Sequence, residues 1–187
     1  MLFEKLSDYF VDDLIYKDTQ LLFVLESPHN EEVKMGYPVA GKSGRDMSKV
    51  LYERGEPLGK LIFEQEVKNL GIINISNYPL QTSAYTNQEL QEIEFFPKIR
   101  QNPKLRKHDK FGINGVLTTI MDDFQFRLEP HKDKKLILCG NFAQSAFDTR
   151  FEESEFKDVL RVPHPSFNQW LRASNRELIE KLKEFIR

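Results

Sequence analysis

The chain has 187 residues, the length of a single domain able to bury a core of its own. At 40% hydrophobic and 30% charged residues it is globular in composition, which excludes a disordered or collagen-like chain, and a net charge of −2 excludes a molecule that is basic overall. One cysteine, Cys139, excludes an internal disulfide and a cysteine-ligated cluster, and it suggests a reducing compartment. No apolar run approaches the roughly 18 residues of a membrane span. Met1 is followed by Glu4 rather than by a basic, apolar leader, so a cytoplasmic protein with no membrane partner is expected.

Phe3, Leu6, Phe10 and Leu14 recur at helical spacing and predict an amphipathic N-terminal helix. Leu21 to Leu25 is a continuous apolar run, the pattern of a strand buried on both faces. A helix from Ser43 to about Glu53 follows, with Met47, Val50 and Leu51 inward. Gly71-Ile-Ile-Asn-Ile-Ser is a second strand, and Gln88 to Phe96 reads as a polar helix. Lys98 to Lys110 holds six Lys/Arg against Asp109, a local +5 that leaves about −7 elsewhere. Such a segment is either a phosphate-contacting strip or a solvated loop. Val116, Ile120 and Phe124 mark another helix, Leu136-Ile-Leu-Cys-Gly a third strand, and Asn141 is a candidate cap for a helix through Phe147. Val159 to Val162 is a fourth strand, and Ser174 with Glu177 forms a capping box for a terminal helix carrying Leu178, Leu182, Phe185 and Ile186 on one face.

Apolar strands alternating with helices predict one α/β domain over residues 1–187, a three-layer α/β/α sandwich around a mainly parallel four-stranded sheet. Ligands of such sheets bind beyond the carboxyl ends of the strands, so the residues after each apolar run are the candidates. They are Glu26-Ser27-Pro28-His29, Asn74-Ile75-Ser76-Asn77, Gly140-Asn141 and His164-Pro165-Ser166. Each also has an ordinary structural use, because Asn and Ser cap helices and Pro punctuates turns. Gly36 to Ser43 matches the phosphate-loop pattern G-x-x-x-x-G-K-[ST] and would support a nucleotide hydrolase. Against it, ten residues separate Leu25 from Gly36, Pro38 lacks an N–H, and no later strand ends in an Asp that would serve a magnesium ion.

The same stretch, Glu26-Ser-Pro28-His-Asn-Glu-Glu32-Val-Lys-Met-Gly36-Tyr-Pro38-Val-Ala-Gly41-Lys-Ser-Gly44, resembles the first motif of the uracil-DNA glycosylase superfamily, nearest its iron-sulfur bacterial and archaeal branch. Ile73-Asn74 with Pro79 resembles that branch's strand-end segment, Leu138-Cys-Gly140-Asn-Phe-Ala143 its strand-to-helix turn, and His164-Pro165-Ser166 its H-P-S motif. The likeness runs in order from about Leu21 to the C-terminus. It departs where Leu25 and His29 replace glycines, where Val39 replaces the base-stacking aromatic, where Asn168 replaces a Leu wedge, and where the four cluster cysteines are missing. No cofactor and no metal are therefore expected.

The resemblance implies a DNA glycosylase that hydrolyses the N-glycosidic bond of uracil or a related deaminated base, with damaged or single-stranded DNA as partner. Such cleavage passes through a cationic sugar and an anionic leaving base. Glu26 would offset the cation and orient water, His164 would donate to the departing base, and Asn74 would read its N3–H and O4 edge. Ser27, Pro28, His29 and Val39 fall in the base pocket. Lys104, Arg106 and Lys107, with Ser166, Phe167 and Trp170, fall on the DNA contact, the two aromatics being candidate wedges for the vacated base position. Val39, which offers no π face, favours the alternative of a nucleic-acid- or nucleotide-binding domain that does not cleave.

Overall fold

The computed structural model describes residues 6–86, 93, 96–101 and 115–187. The elements in chain order are β1 (Leu21–Leu25), α1 (Asn30–Met35), α2 (Lys42–Tyr52), α3 (Leu58–Phe63), β2 (Leu70–Asn74), α4 (Phe96–Gln101), α5 (Val116–Leu128), β3 (Lys135–Cys139), α6 (Gly140–Phe147), β4 (Asp158–Val162) and α7 (Arg176–Ile186). The four strands form one parallel sheet in the order β2-β1-β3-β4. Among the described residues, no helix is long and apolar enough to cross a membrane.

β1, β2 and β3 are almost wholly apolar because both their faces are covered, whereas edge strand β4 carries Asp158 and Arg161, and alternate residues enter different cores. Leu22, Val24, Ile73, Leu136 and Leu138 meet Phe96 and Ile99 of α4, Ile120 and Phe124 of α5, and Phe142 and Phe147 of α6. Phe23, Leu25, Ile72, Ile137 and Leu160 meet Met47 of α2, Leu58 and Ile62 of α3, and Ile179 and Leu182 of α7. The result is the expected three-layer sandwich. The connection from β1 to β2 lies on one face, whereas α4 and α5, which precede β3, lie on the other. Strand order therefore reverses direction between β1 and β3, the place at whose carboxyl ends ligands of such sheets bind.

Three local expectations are corrected. In place of an N-terminal helix, the described residues show a single 3-10 turn, Ser7–Tyr9, followed by extended chain. Leu14 then exchanges both backbone hydrogen bonds with Ile72, each 2.9 Å, as an antiparallel bridge. Pairing with edge strand β2 satisfies groups that would otherwise stay open, and this outweighs the helical spacing of Leu6, Phe10 and Leu14. Asn141 is not a cap, because α6 begins one residue earlier at Gly140. The Ser174–Glu177 box is absent: Ser174 lies in a 3-10 turn, and α7 starts after Asn175, whose Nδ2 donates to the Gln169 carbonyl at 2.8 Å. Most of the helix expected over Gln88 to Phe96 lies outside the described residues; α4 begins at Phe96, where that expectation ended.

Candidate active site at the strand carboxyl ends

Glu26 follows β1 directly, at the carboxyl end of the sheet, and its side chain is 14% exposed. Its Oε1 accepts from Arg100 Nε on α4 at 2.5 Å and from Gln81 Nε2 at 3.2 Å. Gln81 also reaches Ser27 Oγ at 3.5 Å, and that hydroxyl oxygen accepts the Leu80 N–H at 3.3 Å. The buried Ser27 thus ties the turn after β2 to the exit of β1, as do the amides of Ile75 and Ser76, which donate to the carbonyls of Leu25 and Glu26 at 2.9 and 3.1 Å.

His164, on the turn after β4, joins this group. Its Nδ1 accepts the Ser166 N–H at 3.2 Å and lies 2.8 Å from Ser166 Oγ. A ring nitrogen that accepts carries no proton, so the neutral imidazole holds its proton on Nε2 and has a donor to offer. Burial lowers the His164 pKa below its ordinary 6.5, His29 and Arg100 push the same way, and Glu26 opposes them. His29 is lowered too, by burial and then by Arg100, again against Glu26. Glu26, His29, Arg100 and His164 therefore form one electrostatic group with two neutral histidines at pH 7.

Close approach of the turns depends on one glycine. Gly140 has φ +85, and a Cβ there would stand 2.7 Å from the His164 Cβ. Any side chain at the exit of β3 would push His164 away from the strand ends.

Asn74 ends β2 opposite Leu25 and is 3% exposed. Alternation puts it on the Leu70 and Ile72 face of β2, whereas Glu26 continues the Leu22 and Val24 face of β1. Its peptide is clamped from both sides. Asp13 Oδ1 accepts the Asn74 N–H at 3.3 Å, and Arg127 Nη2 donates to the carbonyls of Asn74 and Ile75 at 3.0 and 3.1 Å. Arg127 Nη1 closes the clamp on Asp13 Oδ2 at 2.7 Å, and its Nε holds Asp123. Sequence reasoning missed Asp13, Gln81 and Arg127, and it placed Arg100 in the basic segment Lys98 to Lys110 without its pairing to Glu26. A signal for Arg127 was present: it falls seven residues after Ile120 and three after Phe124, beside the inward stripe of α5.

The stretch that matched a phosphate loop is built differently. Gly36 is the left-handed cap of α1, φ 75, donating to Glu32 O at 2.8 Å. Glu32 Oε1 accepts the Val39 N–H at 2.9 Å, and its other oxygen accepts the His29 N–H, so the amide at Val39 that a phosphate would need is taken. Burial raises the Glu32 pKa, against those two amide bonds. Lys42 bridges Asp46 at 2.9 Å to Asn168 at 2.5 Å.

Two pocket or contact residues take a place other than the one expected. Val39 is 2% exposed and packs in the core with Leu25, Met47 and Leu58, so it does not wall an open base pocket. It has φ 58, strained for a β-branched residue, and Gly44 and Gly59 enclose it: a Cβ on either would stand 1.9 Å from the carbonyl oxygen of Val39 or Pro38. Trp170, expected on the DNA contact, is 2% exposed; its Nε1 donates to the Pro163 carbonyl at 2.8 Å, and its ring packs 6.2 Å from Phe23. Phe167, by contrast, is 81% exposed, on a turn where it and Asn168 both have φ 56. Pro28 is buried and His29 stands at the rim, partly open to solvent and partly desolvated by its neighbours, while Lys104, Arg106 and Lys107 lie outside the described residues.

The donor set does not fit a cysteine-ligated cluster. Cys139 sits inside β3 at 0% exposure, with burial pushing its thiol far up, and among the described residues no group of three His, Cys, Asp or Glu is placed to hold a metal ion. In comparisons with known proteins, no family model and no curated protein matches the chain.

Proposed function

We infer that the protein is a DNA glycosylase that hydrolyses the N-glycosidic bond of uracil or a related deaminated base. The observation that supports this best is the electrostatic interaction, at the carboxyl ends of a parallel sheet, of a partly buried carboxylate, Glu26, with a histidine, His164, whose Nδ1 is tied down by Ser166. Glu26 would offset the developing sugar cation and hold the attacking water. His164 would donate from Nε2 to the carbonyl of the departing base, without first giving up a proton to solvent. Phe167 would fill the stack that the flipped base leaves.

The test is direct. Purified protein is incubated with oligonucleotides carrying uracil, hypoxanthine, xanthine or a mismatch, and alkali-labile abasic sites are counted. His164→Ala should lower excision by about 10²–10³ with the melting temperature nearly unchanged. Absence of base release from every substrate would refute hydrolysis. A second reading, a nucleic-acid-binding domain that does not cleave, is favoured by the burial of Val39 where the family offers a stacking aromatic. Saturable oligonucleotide binding without abasic sites is its signature.

A further inference from the structure

The ion pair between Glu26 and Arg100 poses a chemical conflict. A carboxylate with a guanidinium nitrogen 2.5 Å from one oxygen is already neutralised, and in that state it neither offsets a sugar cation nor orients water well. Arg100 must leave before Glu26 can act. Its position permits this: Phe96 and Ile99 pin α4 into the core at 0% exposure, whereas Arg100 is 43% exposed and lies over Glu26 from the solvent side. The arginine can therefore swing on its own long side chain, with α4 staying in place. What would draw it away is an anion that binds the guanidinium fork at least as well as a carboxylate does, and a phosphodiester oxygen pair has that geometry.

We propose that Arg100 is a latch on Glu26 released by a backbone phosphate of a bound polynucleotide, so that the site selects phosphodiester-linked substrates over free nucleosides. The proposal rests on the hydrolytic reading for the role of Glu26, but the exchange of partners is a binding event that can be measured without catalysis. In the free protein Arg100 donates to Glu26. In the complex the same guanidinium donates to phosphate, and Glu26 keeps Gln81 as its donor and faces the sugar. No bond is made or broken in this step; one ion pair replaces another. Among the described residues, His29 and His164 sense both members of the pair, and as neutral imidazoles at pH 7 they do not compete with Arg100 for Glu26.

A double-mutant cycle tests the exchange. The affinity of a thymidine octadeoxynucleotide, which contains no uracil, is measured for wild type, Glu26→Gln, Arg100→Gln and the double variant, with melting temperatures as folding controls. A latch predicts that Glu26→Gln tightens binding by ~3-fold or more, because the carboxylate no longer competes for Arg100, and that this gain disappears in the Arg100→Gln background. An octamer with a neutral methylphosphonate backbone should show no gain in either background. Equal tightening in both backgrounds would mean general charge repulsion and would overturn the latch, as would no tightening at all or no octamer binding by wild type. The hydrolytic reading fails separately, by the absence of abasic sites. Uracil release with an additive cycle leaves that reading standing and removes the latch, whereas a coupled cycle without base release does the reverse.

Discussion

Asp13 should weaken the fold as pH rises toward neutrality. Its side chain is 11% exposed and touches Arg127 at 2.7 Å, yet burial pushes its carboxyl from 3.8 up to about 6, with Asp12 adding to the rise and Arg127 and the Asn74 amide opposing it. A rise of that size corresponds to about 3 kcal/mol. The folded protein holds the Asp13 proton more tightly than the unfolded chain does. Stability from this group is therefore fully present below the unfolded value of 3.8, falls as pH rises through the window from 3.8 to about 6, and is level above it. Asparagine resembles the protonated acid and does not titrate. Unfolding free energies of wild type and Asp13→Asn, measured by urea titration at about pH 3 and about pH 7.5, should be nearly equal at the lower pH. At the higher pH the variant should be the more stable, by up to about 3 kcal/mol. A variant less stable than wild type near neutrality would show that attraction to Arg127 outweighs burial and would refute the raised carboxyl.

Two further outcomes follow from the turns at the strand ends. Gly140→Ala places a Cβ 2.7 Å from that of His164 at a backbone angle of +85°, so it should destabilise by roughly 1–3 kcal/mol and cut base release along with it; an alanine variant with unaltered melting temperature and activity would show that His164 does not need the close approach. Phe167→Ala removes a ring that is 81% exposed, so the melting temperature should stay put while oligonucleotide affinity drops by the roughly 1–3 kcal/mol of one stacked base. Unchanged affinity would take Phe167 out of the contact.

The sheet was legible in the sequence because a parallel strand covered on both faces needs every side chain apolar. Leu21 to Leu25 and Leu136 to Cys139 therefore announce themselves without any knowledge of their neighbours. The polar residues at the strand exits were legible for the same reason: they begin where the apolar demand stops. Pairing partners were not. Leu6, Phe10 and Leu14 carry a helical spacing, but the chain there pairs with edge strand β2, whose Ile72 offers two backbone groups to Leu14, and no local pattern encodes an edge 58 residues away. Burial of a single aromatic was equally hidden. Phe167 and Trp170 are three residues apart and chemically alike, yet two left-handed residues in the turn send one into solvent and the other against Phe23. Charge pairing across the fold belongs wholly to the tertiary structure. Arg100 meets Glu26 and Arg127 meets Asp13 across 74 and 114 residues of chain, and those contacts exist only once both cores have closed on the sheet.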